Sequence, residues 1–139
     1  MIDENIIIVS PVFNDWVSLQ ILLKDLNSVF DDWGRTFLFI AIDDGSTIQP
    51  AVALDEKINL IHLKHNVGHQ AAIAVGIQYA YSHFPDSLIV VMDADGEDDP
   101  YAIPNLINIL ETNSNTAVVV ASRSKRQESL WFQPQLGQP

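Results

Sequence analysis

The sequence contains no cysteine, which excludes disulfides and thiolate metal sites and leaves the redox compartment open. Basic residues are scarce: seven Lys and Arg stand against eighteen Asp and Glu, a formal charge of −11. So acidic a surface repels phosphate backbones, and nucleic acid is not expected as a partner. An anionic substrate would instead need a local cation, for which a bound metal is the natural candidate. No apolar run approaches the roughly 20 residues of a membrane span, and the amino end lacks a basic-then-apolar leader pattern. A soluble chain is expected. Internal repeats and low-complexity tracts are also missing. What remains is the composition of a folded globule, 47% hydrophobic and 18% charged, which argues against disorder. At 139 residues the chain fits one domain with a real core.

Apolar runs and breaks alternate along the chain. Residues 6–12 form a β-branched run that stops at Pro11-Val12-Phe13-Asn14. Asp15 can cap a following helix, in which Leu19, Leu22, Leu23, Leu26 and Phe30 recur at helical spacing. Residues 31–34 close that helix. A second strand is expected over 36–42, ending at Asp43-Asp44-Gly45-Ser46-Thr47, and a third over 58–63, ending at His65-Asn66-Val67-Gly68. Residues 69–81 read as an Ala-rich helix with Ala72, Val75, Ile77 and Ala80 among its apolar positions. A fourth strand over 88–92 precedes Asp93-Ala94-Asp95. Asp99-Pro100 starts another helix, proline suiting a first turn, with Leu106, Ile107 and Leu110 on its buried face. Residues 116–121 read as a fifth strand. Such alternation predicts an α/β fold, an open and mostly parallel sheet with helices on both faces. It is expected to fill residues 1–130, leaving 131–139 as an irregular tail.

In a parallel sheet the polar clusters Asn14-Asp15, Asp43-Asp44-Gly45-Ser46 and Asp93-Ala94-Asp95 open onto one edge, where such folds hold ligands. Each cluster alone reads equally as a turn. Five acids on one edge, however, repel one another unless a cation or hydrogen-bond donors occupy the centre. Asp93 and Asp95, two apart at a strand end, suit a hard divalent ion, Mg²⁺ or Mn²⁺, across a diphosphate. Asp44 could accept a hydrogen bond from a base edge, while the backbone of Pro11, Val12 and Phe13 could line a nucleoside. For Phe13 an apolar wall and plain core packing both remain open. Gly68 would permit close backbone approach before the helix at His69, and the amides there could face an anion. His69 reads either as a structural hydrogen-bonder or as a ligand contact. Asp98 and Asp99 are expected to cap the next helix. Arg123, Lys125 and Arg126 form the basic cluster of an acidic chain, either a solvated face or a phosphate contact.

Together these residues resemble the inverting family 2 glycosyltransferases, whose nucleotide-binding fold is called GT-A. The matching pieces are Pro11-Val12-Phe13-Asn14-Asp15, Asp43-Asp44-Gly45-Ser46-Thr47, Asn66-Val67-Gly68-His69-Gln70-Ala71-Ala72 and Met92-Asp93-Ala94-Asp95-Gly96. The third piece, with Arg123-Ser124-Lys125-Arg126 and Glu128-Ser129, is similar to the branch of polyprenyl-phosphate sugar transferases. The resemblance implies a nucleotide-diphosphate sugar as donor, a lipid phosphate as acceptor, and metal-assisted inversion at the anomeric carbon. By match of position it implies a donor nucleotide site of Pro11, Val12, Phe13, Asp15, Asp43, Asp44, Gly68, Asp93 and Ala94. Asp93 and Asp95 would be the metal ligands, and Arg123 and Arg126 would lie near the diphosphate.

Members of that family continue well past the fifth strand. The chain therefore reads as a donor-binding half, truncated before the acceptor site, the catalytic base and, in this branch, membrane helices. Membrane association is expected through that missing segment, with the donor side in the cytoplasm or at the cytoplasmic membrane face. A nucleotide-sugar-binding remnant without turnover is the alternative. A signalling receiver domain would need its acid pair after the first strand and a Lys after the fifth. A nucleotidyltransferase would need a Gly-rich basic loop where Asn14-Asp15-Trp16-Val17 stands.

Overall fold

The computed structural model describes residues 6–113. The chain divides into two compact units, Met1–Pro100 and Tyr101–Pro139. The expected fifth strand at 116–121, the tail 131–139 and the basic residues Arg123, Lys125 and Arg126 lie outside the described residues.

The first unit is built on four strands: β1 (Ile6–Val12), β2 (Leu38–Asp43), β3 (Ile58–His62) and β4 (Leu88–Val91). They lie in the order β3-β2-β1-β4, and every neighbouring pair is parallel. The register sets Val12 beside Asp43 and Val9 beside Val91. All seven residues of β1 are buried, as expected of a central parallel strand covered on both faces. Chain order runs outward from β1 to β3 and then jumps to the other side for β4. That reversal makes a switch point between β1 and β4, beyond whose carboxyl ends α/β sheets hold ligands.

Helix α1 (Trp16–Trp33) opens at Asp15, whose carboxylate accepts the Ser18 N–H at 3.1 Å, as a cap should. Leu19, Leu22, Leu23, Leu26 and Phe30 are all buried, each such side chain contributing roughly 1.5–3 kcal/mol. The helix ends where the Gly34 N–H bonds to the Phe30 carbonyl at 2.9 Å.

Helix α2 (His69–His83) crosses back over the sheet from β3 to β4. Its buried positions are Ala72, Gly76 and Ala80, a stripe at fourfold spacing that differs from the apolar set expected from sequence. Val75 is half-buried and Ile77 exposed, because the closest approach to the sheet is reserved for the smallest side chains. Ala72 and Ala80 pack in one core cluster with Ile7, Val9, Ile40 and Ile42. A Cβ added at Gly76 would stand 2.5 Å from Val9 Cγ1 and 3.0 Å from Ile42 Cγ1. Gly76→Ala is therefore expected to destabilise the fold by about 1–3 kcal/mol through overpacking, outweighing the ~1 kcal/mol gained in helix propensity. A lower denaturation midpoint at unchanged slope would register this.

A 3-10 turn, Pro100–Ala102, leads into α3 (Ile103–Thr112) of the second unit, with Ile103 and Ile107 buried four apart. No side chain caps α3 at Ala102, and Asp98 accepts the Asp93 N–H instead, which corrects its expected capping; the helical stretch does begin at Pro100, directly after Asp99. Among the described residues no helix is long and apolar enough to cross a membrane.

Candidate functional site

Backbone bonds carry the sheet ladder past its strand ends and set the loops beside one another. Asp44 N–H donates to the Val12 carbonyl at 2.9 Å, Leu63 N–H to Asp43, and Met92 N–H to Val9. The loops after β1, β2, β3 and β4 thus start from one rim.

Asn14 ties the first two loops together. It has a positive φ of 64°, a conformation that asparagine tolerates better than most residues. Its N–H donates to Ser46 Oγ at 2.8 Å, and its Oδ1 accepts from Thr47 N at 2.8 Å and Ile48 N at 3.0 Å. The Trp16 indole adds a bond from Nε1 to the Ile48 carbonyl at 2.7 Å.

The two adjacent acids after β2 serve different neighbours. Asp43 Oδ1 accepts the Ser46 N–H at 2.9 Å, and its Oδ2 lies 2.9 Å from His62 Nδ1. Asp44, only 4% exposed, accepts Val67 N–H on Oδ1 at 2.7 Å and Gly68 N–H on Oδ2 at 3.1 Å. Asn66 Nδ2 donates to the Asp44 carbonyl at 3.1 Å. One buried carboxylate therefore docks the whole 66–68 loop onto the end of β2. Each carboxylate oxygen has a second lone pair, so Asp44 retains acceptor capacity. Gly45 permits that docking: at φ 72° an added Cβ would lie 2.6 Å from Asn66 N. Gly68, with φ 99° and ψ 154°, holds a backbone conformation essentially confined to glycine.

The result is a cavity of about 230 Å³ lined by Pro11, Val12, Phe13, Asp44, Asn66, Gly68 and His69. This is below the ~300–1,000 Å³ of pockets for drug-sized ligands. Phe13 is 47% exposed and forms one wall, so plain core packing is not its role.

Beside this cavity stands the loop after β4. Asp93 Oδ1 lies 2.8 Å from His69 Nε2, and Asp93 N–H donates to Asp98 Oδ2 at 2.7 Å. Asp95 is exposed, its Oδ1 accepting the Glu97 N–H at 3.0 Å. Ala94 is buried between the two acids.

Five of the residues expected at the donor site, Pro11, Val12, Phe13, Asp44 and Gly68, share this cavity. Asp15, Asp43, Asp93 and Ala94 are not among its lining residues. Asp15 is engaged in capping α1, and Asp43 in holding its own turn and His62. Arg123 and Arg126 lie outside the described residues. For the five acids a cation or hydrogen-bond donors were expected to relieve repulsion, and the described residues supply donors. Among the described residues no group of three His, Cys, Asp or Glu could hold a metal. Asp15, Asp43, Asp44 and Asp95 each accept from a different backbone amide, and such donors ease repulsion between carboxylates. The pair Asp93 and Asp95 still fits a hard divalent ion by donor chemistry. Mg²⁺ is commonly bound through one or two carboxylates, with substrate phosphates completing its shell.

Sequence reasoning missed the clamp made by Asn14 and the lining role of Asn66. An Asn directly before a helix cap is a usable signal for the first; the second depends on docking across 22 residues and has none.

The model for glycosyl transferase family 2 matches residues 7–138. An undecaprenyl-phosphate 4-deoxy-4-formamido-L-arabinose transferase of Edwardsiella ictaluri is 31% identical over 132 residues, covering 90% of this chain and 38% of that protein. A protein of the same name from Salmonella paratyphi B is 30% identical over 135 residues, covering 92% of this chain and 39% of its own length. The chain thus spans about two-fifths of the length of these curated relatives.

Proposed function

Since this chain belongs to glycosyl transferase family 2, we propose that it supplies the donor side of an inverting, metal-dependent sugar transfer. The donor is a nucleotide-diphosphate sugar, and the acceptor is a polyprenyl phosphate of the kind named for its relatives. The observation that carries this reading is the cavity at the carboxyl edge of the sheet, walled by Phe13, floored by the end of β1 and closed by the loop that Asp44 docks.

In this reading the nucleoside enters against Pro11, Val12 and Phe13, and the remaining lone pairs of Asp44 accept a base N–H. Phe13 excludes water from one face of the nucleoside, which strengthens the hydrogen bonds made behind it. Asp93 and Asp95 would hold Mg²⁺ or Mn²⁺, which when bound supplies charge neutralisation to the departing diphosphate. Arg123 and Arg126, outside the described residues, are proposed as further diphosphate contacts. Asp43 supports the site indirectly, through the turn that carries Asp44. The proposed location is the cytoplasm or the cytoplasmic face of a membrane, with membrane association through sequence that the longer relatives have beyond the matched part.

Calorimetry on the 139-residue chain with uridine and guanosine diphosphate-sugars, with Mn²⁺ or with chelator, tests this. Binding that is at least about tenfold tighter with metal is expected, a difference of about 1.4 kcal/mol. No heat with any donor, from protein whose circular dichroism is native, would rule the reading out. The second reading is a nucleotide-sugar binder without turnover. Transfer of labelled sugar to polyprenyl phosphate by this chain alone would eliminate that alternative.

A further inference from the structure

We propose that His69 is a positioning residue for Asp93. It holds that carboxylate in the orientation that takes a divalent cation, and it couples the nucleoside cavity to the cation site. This deepens, and rests on, the reading of the crevice as a donor site. Two observations meet on one imidazole. His69 lines the cavity, and its Nε2 lies 2.8 Å from Asp93 Oδ1. The contact is not a local accident of the chain. His69 begins α2, which follows β3, whereas Asp93 follows β4, and these two strands lie at opposite edges of the described sheet. The imidazole therefore joins the segments that follow the two edge strands of the described sheet.

The base of His69 is held on both sides. Gly68 N–H is bonded to Asp44 Oδ2 at 3.1 Å, and the Gly68 carbonyl accepts the Ala72 N–H at 2.9 Å. Further along, Gly76 seats α2 against Val9 and Ile42, so the helix cannot easily slide to relax the contact. A neutral imidazole with its proton on Nε2 is enough to donate to Oδ1, and no charge on His69 is required. A carboxylate without such a bond rotates about its terminal torsion, which is broad and soft. Hydrogen-bonding one oxygen fixes the plane of the other, as partners of metal-binding carboxylates do. A ligand in the cavity meets the same ring. Its binding and the orientation of Asp93 are then no longer independent.

The test uses the full chain and measures uridine diphosphate affinity with Mn²⁺ and with chelator, guanosine diphosphate serving if the uridine compound is not bound. The ratio of the two affinities cancels any loss of direct cavity contact. In H69A this ratio is expected to fall by about 10–100-fold, the usual effect of removing such a partner. In H69Q, whose amide can donate at similar reach, most of the ratio should return. A second measurement needs no nucleotide: the His69 ring ¹⁵N signals should move in D93A. An unchanged ratio in H69A, a H69Q variant no better than H69A, or unmoved ring signals in D93A would each overturn the proposal while leaving the donor-site reading intact. Failure of the wild-type chain to bind either nucleotide would instead remove the donor-site reading and this inference with it.

Discussion

Asp44→Ala is expected to cost about 3–6 kcal/mol of stability, because it orphans two amides that now bond a buried carboxylate, each worth roughly 1.5–3 kcal/mol. The loss falls on one loop. Val67 and Gly68 donate to the two oxygens at 2.7 and 3.1 Å, and residues 66–68 belong to no strand or helix. Hydrogen exchange at these two amides should therefore accelerate before the rest of the sheet opens. Asp44→Asn separates charge from geometry. Its oxygen can still take the Val67 N–H, while its NH₂ would face the Gly68 N–H, so an intermediate loss of roughly 1–3 kcal/mol is expected. Nucleotide binding should weaken by more than about tenfold in Asp44→Ala, since both the acceptor and the loop closing the cavity go together. Unchanged exchange at Val67 and Gly68 would show that the loop is held by something else.

Gly45→Ala should produce a comparable effect by a different route. Its φ of 72° costs an L side chain roughly 1–2 kcal/mol. The added Cβ would also sit 2.6 Å from Asn66 N and 2.7 Å from His65 C, and both are backbone atoms that cannot rotate away. Overpacking of this kind adds about 1–3 kcal/mol, for a total of roughly 2–5 kcal/mol. Because Gly45 and Asp44 act on the same loop, the double variant should lose less than the sum of the single losses. Denaturant titration of the two single variants and the double variant measures that shortfall directly. Strict additivity would mean that close approach at Gly45 and anchoring at Asp44 are separate devices.

The difference between what was legible in the sequence and what was not follows the range of the interactions. Strands β1 and β2 could be read because buried parallel strands are continuous apolar runs, and β1 has the expected bounds; β3, only partly buried, was legible by its alternation. Helix α1 was equally plain, its spacing and the Asp15 cap being local signals. The start of β2 at Leu38 rather than residue 36 reflects the usual uncertainty of strand ends. Helix α2 misled for a physical reason: hydrophobicity marks Ile77, but closeness to the sheet demands Gly76, and glycine carries no apolar signal. In the site, the positions of the acids were legible as strand endings, and family resemblance supplied the order of the motifs. Their individual partners were not. Asp43 and Asp44 are neighbours of the same type, and only the fold determines that one faces His62 and the other the amides of Val67 and Gly68. Asp98, expected at a helix start, closes the loop behind Asp93 instead.

The bond from the Trp16 indole to the Ile48 carbonyl has an optical consequence. Trp16 is one of three tryptophans, is buried, and reaches the same turn that Asn14 clamps beside Asp44. Its fluorescence therefore carries an intrinsic record of whether that turn is seated. Spectral shifts during a ligand titration can be assigned to it with a Trp16→Phe control, and no dye has to be attached.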